Sequence, residues 1–472
     1  MKYRALSRAC QNYVMSKPKI DRVNSALARL EVGVAQVDIT PPVGISANPW
    51  GKSKSALSTG VHRPLTATAL AIHGDRLRFI LGLDLGWIGC HECDVVNFRS
   101  RLAHEVGVDI DDILVNLSQT HKGPPFCIHE ALREGKEFVA PYIESTIVKL
   151  IALCKQAAAM RVVGDITWEY GKCDLGTVRD LPVDGQVVVG FNPELQPDDN
   201  LAVGRITDPS GKIIATIVNY GCHPTSVGWE SELISPDFVG RARELVEGVT
   251  GAPMLYLLGA SGNVAPKVQY SGDVSVADRN GEMLGYATLA TLAKMLPPAS
   301  DYQFREVITS GSNLAGWEIV PAHPNSKIRV KKAAAKLRHK PLLSEEEMRL
   351  KWAPLTATES FLNFRIRKQF EMRIDYVKPG GVVEHPVWFW RLGDAIFVAH
   401  GGEAYLELAR DLRARNSDLK IFFLDMTNGP GYMYVPTKKS YEENTYQSQQ
   451  SIMAPGSMEE LLEFMDRELK SL

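Results

Sequence analysis

The sequence lacks any long apolar run. Its 472 residues are 45% hydrophobic, yet no stretch reaches the roughly 18 consecutive apolar residues that a membrane-spanning helix needs. It also lacks an excess of charge of either sign. Lys and Arg total 53 and Asp and Glu 55, a formal charge of −2 and a pI of about 6.6. That balance excludes a general binder of nucleic acid or of anionic membranes. Cysteine is sparse. Cys10, Cys90, Cys93, Cys127, Cys154, Cys173 and Cys222 are scattered and odd in number, which fits a reducing compartment better than a disulfide framework, so a cytoplasmic location is expected. "CHEC" (Cys90 to Cys93) has no second cysteine pair and falls at the start of an amphipathic stretch, so it reads as structure. Repeats, low-complexity tracts and linkers are absent. Residues 1–30 are basic, with five cations before the first acid, Asp21. They lack the apolar core of a secretory signal and read as an N-terminal helical arm on the main domain.

What is present is alternation. "LRFILGLDL" (77–85) reads as a buried strand, "VVNFRSRLAHEVG" as a helix and "DILVNLSQTH" as the next strand. Residues 138–156 place Ile143, Ile147, Ile151 and Cys154 on one helical face. "IIATIVNYGCHPT" (213–225), "MLYLLGASGNVAP", "AIFVAHGGEAY" and "KIFFLDMTNGPGYMYVPT" are further strands that run into chemically rich turns. The pattern predicts an α/β fold with a mixed, largely parallel sheet flanked by helices. A single large catalytic-type domain over 31–472 is expected, with a charged helical insertion at about 315–375. The basic run inside that insertion reads as a solvated face; a lid at 320–350 is expected from its position. The aromatic run "VWFWRL" fits a core strand or an interface of a homo-oligomer equally.

Ligands of open α/β sheets sit beyond the carboxyl ends of strands. There the sequence places Asp84, Gln119, His121, His223, Ser261, Asn263, Glu403, Tyr432 and Tyr434. Two histidines, a glutamate and a tyrosine in one crevice make a reasonable zinc site, because imidazole nitrogens and a carboxylate suit that ion. A histidine that only hydrogen-bonds its own turn, and a glutamate at a helix start, are the plain alternatives. Asp237 in "SPD" reads as the N-cap of the helix "FVGRAREL" rather than as a support for a ligand histidine.

Nine motifs occur in one order: "VGVAQVDITPPVG", "TGVHRPLTATALAI", "DLGWI", "SQTHKGPP", "CHPTS", "LISPDFVG", "GASGNVAP", "GGEAY" and "YMYVPTKKSYEENTY". In order and wording they resemble the catalytic domain of the neutral/alkaline ceramidase family over roughly residues 32 to 450. The resemblance implies a zinc amidase. Its histidine, glutamate and tyrosine ligands fall on His223, Glu403 and Tyr434, and an arginine that holds substrate falls on Arg179 in "TVRDLP".

Two positions depart from the family. Its first ligand histidine is Gln119 here, and its catalytic serine is Ala265. His121, two residues on from Gln119, is expected to take over coordination, since residues i and i+2 of an extended strand point the same way. The family's secretion signal and C-terminal sandwich-like domain are not seen, so a membrane sphingolipid is not the expected substrate and no membrane insertion is expected. The expected function is a metal-dependent hydrolase (Zn2+) of an amide or ester bond in a small soluble molecule. In it His121, His223, Glu403 and Tyr434 hold the ion, His121, Arg179 and Tyr434 act catalytically, and Gln119 orients substrate. A lyase or isomerase using His121 and Tyr434 as acid and base, and an inactive binding protein, are the alternatives.

Overall fold

The computed structural model describes residues 18–88, 92–127, 134–341, 343–355, 358–429 and 434–472. Strands β1 (Ala26–Asp38), β2 (Thr66–His73), β3 (Leu77–Leu83), β4 (Ile113–Leu117), β5 (Val162–Lys172), β6 (Asn200–Thr207), β7 (Ile213–Tyr220) and β8 (Met254–Leu258) form one sheet, in the order β8-β7-β6-β5-β1-β2-β3-β4. Strands β9 (Ile328–Arg338), β10 (Val382–Leu392), β11 (Ala395–His400) and β12 (Lys420–Leu424) follow in chain order in a second. The two sheets face each other. Leu30, Leu70, Trp168, Ile217 and Leu255 of the first meet Trp388, Trp390, Phe397 and Phe422 of the second. Period-two alternation decides how "VWFWRL" is used: Trp388 and Trp390 enter this inter-sheet core, while Val387 and Phe389 point to the other face. The run is core strand on both sides.

Helices cover the outer faces. Helices α1 (Glu92–Val106), α2 (Val139–Ala159), α3 (Phe238–Thr250) and α4 (Ser275–Lys294) bury their apolar sides on the first sheet. Residues of α6 (Glu359–Tyr376), α7 (Leu406–Arg415) and α10 (Ser457–Lys470) cover the second. Between them lie α5 (Glu345–Trp352), which packs Met348 and Trp352 on Leu362 and Ile366 of α6, and two single-turn helices, α8 (Lys438–Glu442) and α9 (Tyr446–Gln450). No described helix is long and apolar enough to cross a membrane.

The sheets are mixed, as expected, but parallel pairing is the minority. In the first sheet five pairs are antiparallel and two parallel, β7 with β8 and β3 with β4. Hairpin connections too short to hold a helix, such as His73 to Leu77 and Thr207 to Ile213, permit only antiparallel neighbours. The parallel pairs, with β11 and β12 of the second sheet, are the ones that feed the crevice described below.

Two further expectations are corrected. Residues 1–17 of the expected helical arm lie outside the described residues, and its remainder holds strands, Arg22–Val23 and the start of β1. The expected helical insertion is extended up to Arg338: Asn313–Pro321 belongs to an exposed hairpin, and β9 is the edge strand of the second sheet. The sequence "IRVKKAAAKLR" alternates, and lysines such as Lys331, Lys332 and Lys336 guard an edge that would otherwise pair with another chain. Among the described residues there, the helical segments are α5, α6 and the 3-10 turn Ala353–Leu355.

Candidate active site

His223 follows β7 through Gly221 and Cys222. A Cβ at Gly221 would sit 2.2 Å from the Ala260 carbonyl oxygen, so the turns after β7 and β8 approach backbone to backbone, which only glycine allows. That approach lets His223 Nδ1 donate to the Ser261 carbonyl at 2.7 Å, fixing its tautomer so that Nε2 carries the lone pair. Glu403 comes from the other sheet, after β11. His223 Nε2 lies 3.2 Å from Glu403 Oε2, and both residues are buried.

Tyr434 is set opposite Glu403 by the parallel pairing of Glu403–Ala404 with Tyr434–Val435. The Arg179 Nη2 group donates to the Gly262 carbonyl at 2.9 Å and to Tyr434 Oη at 3.3 Å, and lies 3.5 Å from His223 Nε2. Glu403 is also hydrogen-bonded by Gln119 and Tyr434. Five of the six expected site residues thus gather together, with Gln119, Arg179, His223 and Tyr434 around Glu403.

His121 is placed differently from expectation. β4 ends at Leu117, and Gln119 has φ 64°, a left-handed turn residue rather than part of an extended strand. The turn sends the Gln119 side chain to Glu403 and lets His121 Nδ1 donate to the Gln119 carbonyl at 2.9 Å. The His121 ring stands 5.7 Å from that of His223 and 5.2 Å from Trp50. Among the described residues, no three His, Cys, Asp or Glu side chains gather so as to hold a metal ion. The expected geometry, with Gln119 and His121 on one face of an extended strand, is corrected: a left-handed turn at Gln119 sets where His121 stands.

The charges follow from burial and contact. Burial raises the Glu403 carboxyl, but His223, Gln119 and Tyr434 more than reverse this, and it lies below its ordinary value. Burial, then the Arg179 cation, lower His223. Burial lowers His121 to about 3 and raises Tyr434 well above its usual range. Burial opposes the Arg179 charge, yet Tyr434, Tyr270, Glu403 and Asp180 around it carry its pKa above the ordinary value. With its Nδ1 proton on the Ser261 carbonyl, a neutral His223 turns its Nε2 lone pair to Glu403, and the contact is attractive only with a second proton or a cation on Nε2; Glu403 Oε2 has no other hydrogen-bond donor. Gln119 Oε1 is likewise buried without one. This pair fits a cation held by one imidazole nitrogen, one carboxylate and neutral oxygens. It does not fit the two-histidine set that the resemblance implied.

Sequence reasoning missed the frame behind the site. Asp425, at the end of β12, accepts the N–H groups of Ser261 and Ala404, both at 3.0 Å, through Oδ2. Its Oδ1 accepts His400 Nε2–H at 2.8 Å, and His400 Nδ1 in turn accepts from His385 at 2.9 Å and from the Gly402 N–H. One carboxylate therefore joins the Ser261 turn, whose carbonyl holds His223, to the Glu403 turn across both sheets. A buried strand that ends in an acid, "FFLD", was the available signal. Lys122 is also fully buried, bonded to Asn48 and the Ser231 carbonyl. Asp84 pairs with Arg243 at 2.8 Å and is structural. Asp237 caps α3 and also accepts the Val227 N–H, as read from the sequence. Cys127 is disulfide-bonded, which runs against the reducing compartment expected from the cysteine count and spacing; Cys10 and Cys90 lie outside the described residues.

A cavity of about 250 Å³ opens onto Gln119, His121, Glu403 and Tyr434. Trp50 and Trp87 form part of its wall, and α6 rather than residues 320–350 covers it, through Phe361, Phe364 and Met372.

No protein-family model matches the sequence, and no curated protein matches it. Solved structures do. A ceramidase complexed with C2 matches with a TM-score of 0.65 at 16% identity, covering 93% of this chain and 74% of the other. The neutral ceramidase from Pseudomonas aeruginosa matches with a TM-score of 0.64 at 16% identity, covering 93% and 73%. This chain has the fold of the neutral ceramidases. The resemblance read from nine short motifs thus extends to the three-dimensional course of the chain. The two departures stand within that fold: Gln119 occupies the turn after β4, and Ala265 is buried in the short strand Val264–Pro266, paired with Thr177.

Proposed function

We propose that this chain is a hydrolase of an amide bond, or of a related ester, in a small molecule that enters the cavity over α6. The observation that carries the reading is the His223 Nε2–Glu403 Oε2 contact at 3.2 Å, in which two acceptors meet with no donor for Oε2. Buried polar atoms are rarely left so, and a cation between them satisfies both. His223 and Glu403 would hold a zinc-type ion, with Tyr434 Oη and Gln119 Oε1 as weaker oxygen donors. Such an ion, when bound, polarises a carbonyl and makes water acidic near neutral pH.

The chain's own residues supply the rest. Arg179 is held by the Gly262 carbonyl with Nη2 turned to the Tyr434 hydroxyl, where it donates to an oxygen that gains charge at the scissile carbonyl. His121, neutral and with its Nδ1 proton committed to Gln119, offers Nε2 as a proton acceptor. Ala265 provides no hydroxyl, so no step passes through a serine at that position. The disulfide at Cys127 weighs against the cytoplasmic setting that the cysteine spacing suggested. A panel of amides and esters, assayed with and without chelator, tests the proposal. Arg179→Gln should lower kcat about a hundredfold, and Glu403→Gln should abolish turnover. Turnover that survives Glu403→Gln, or no turnover of any amide or ester with zinc restored, refutes it.

A further inference from the structure

Helix α6 brings cations, as well as aromatic rings, to the cavity. Arg365 is only 9% exposed and lines the cavity wall. Its guanidinium lies over the Trp352 ring at 4.7 Å and beside Tyr446 at 5.8 Å. Its Nε and Nη2 are buried without a hydrogen-bond partner. Glu371, an acid on the same helix, already faces Arg367 and Lys368, each at 3.4 Å. Gln450, at the end of α9, also lines the cavity, and its Nε2 is buried without a partner. The unsatisfied atoms sort by wall. Donors from Arg365 and Gln450 stand on the helical wall, with Trp50 Nε1 a further donor beside His121; acceptors, Glu403 Oε2 and Gln119 Oε1, stand on the strand-end wall. The walls between are largely apolar, with Trp50, Phe364 and Met426 among them.

An unpaired buried guanidinium is costly, and an aromatic face beside it does not satisfy N–H donors that lie in the guanidinium plane. A planar anion with two oxygens does, through a two-pronged contact. We infer that the cavity takes an acidic molecule, with an apolar body and a carboxylate bound by Arg365 and Gln450, so that the substrate class is a carboxylate-bearing amide such as an N-acyl amino acid. The word substrate rests on the hydrolase reading above; the carboxylate site does not. A neutral lipid amide would leave both donors unanswered.

The test begins with ligands that cannot be hydrolysed. Octanoate and 3-phenylpropanoate are titrated into the full chain by calorimetry, each against its alcohol. Each acid should bind about tenfold or more tightly than the alcohol, the equivalent of one hydrogen-bonded charge contact. Arg365→Gln should erase that ratio, Arg365→Lys should keep only part of it because an ammonium cannot make the fork, and Gln450→Leu should reduce it. Thermal unfolding checks that each variant is folded, and if Arg365→Gln is not, the Arg365→Lys result decides. Equal binding of acid and alcohol, no saturable binding of either acid, or a ratio untouched by the Arg365 variants overturns the inference. Hydrolysis of N-octanoylglycine against N-octanoylglycinamide then separates the two claims. A carboxylate preference in binding with no turnover refutes the hydrolase alone. Turnover of both amides at equal kcat/KM, with no acid preference in binding, refutes the carboxylate site alone.

Discussion

Replacing Asp425 tests how the two sheets hold the site together. The carboxylate is fully buried and accepts three N–H groups, from Ser261, Ala404 and His400. Asp425→Ala leaves all three donors in a dry interior, at about 1–3 kcal/mol each. The sum is about 3–9 kcal/mol, a large share of the roughly 5–15 kcal/mol that holds a domain folded. Asp425→Asn is milder and more informative. Its oxygen can keep the two backbone donors, but its amide nitrogen then faces His400 Nε2–H, donor against donor. The histidine escapes by moving its proton to Nδ1, where the Gly402 N–H now loses its acceptor, and His385 must move its proton to an Nδ1 that has no partner. We expect Asp425→Asn to cost about 1–3 kcal/mol, read as a lower urea midpoint at unchanged slope, with a tautomer change visible in the imidazole nitrogen shifts. An Asp425→Ala variant within about 1 kcal/mol of wild type would refute the bridging role.

Three other outcomes follow from particular contacts. Gly221→Ala puts a Cβ 2.2 Å from the Ala260 carbonyl oxygen; it should lower stability and displace His223, and unchanged unfolding and turnover would contradict the close approach. Trp390→Ala empties a fully buried indole between the sheets and should cost about 3–5 kcal/mol in urea unfolding; a cost below about 1 kcal/mol would place that ring outside the core. Lys340 donates to the Ser448 and Gln449 carbonyls at 2.8 and 2.9 Å, and burial, helped by Lys351 and Arg373, lowers its pKa from 10.5 to about 7. Between those values the unfolded chain binds a proton that the folded chain does not, so this residue makes stability fall as pH falls from 10.5 toward 7. Lys340→Met should flatten the urea midpoint across that window, and a variant curve parallel to wild type would refute the burial of the charge.

The site was more legible than the sheet. Turns after buried strands keep their polar residues for chemistry, so Gln119, His223, Glu403 and Tyr434 could be read at strand ends, while Arg179 came only from the ceramidase resemblance; the structure brings the five together. His121 was misjudged because a period-two argument holds only inside a strand, and the strand stops at Leu117, two residues before the left-handed Gln119. Asp425, His400 and His385 escaped notice because their partners are backbone groups and each other, contacts that only the meeting of two sheets creates. Arg365 looked like one more cation on a charged surface helix; its burial depends on Trp352 and Tyr446, which come from separate elements. The parallel share of the sheet was overestimated because the strands that carry the site are the parallel ones. β9 was taken for helix because a lysine-rich, alanine-rich run has high helix propensity, and edge-strand pairing to β10 overrode it.

The central claim is that the facing acceptors of His223 and Glu403 hold a cation. The direct measurement is elemental analysis of protein purified without chelator, wild type beside His223→Ala, Glu403→Gln and Gln119→His. The account predicts zinc in near-stoichiometric amount in wild type, its loss in His223→Ala and Glu403→Gln, and its retention against stronger chelators in Gln119→His, where an imidazole replaces a neutral amide oxygen. Metal-free wild-type protein that hydrolyses an amide, or equal zinc in wild type and His223→Ala, would contradict it.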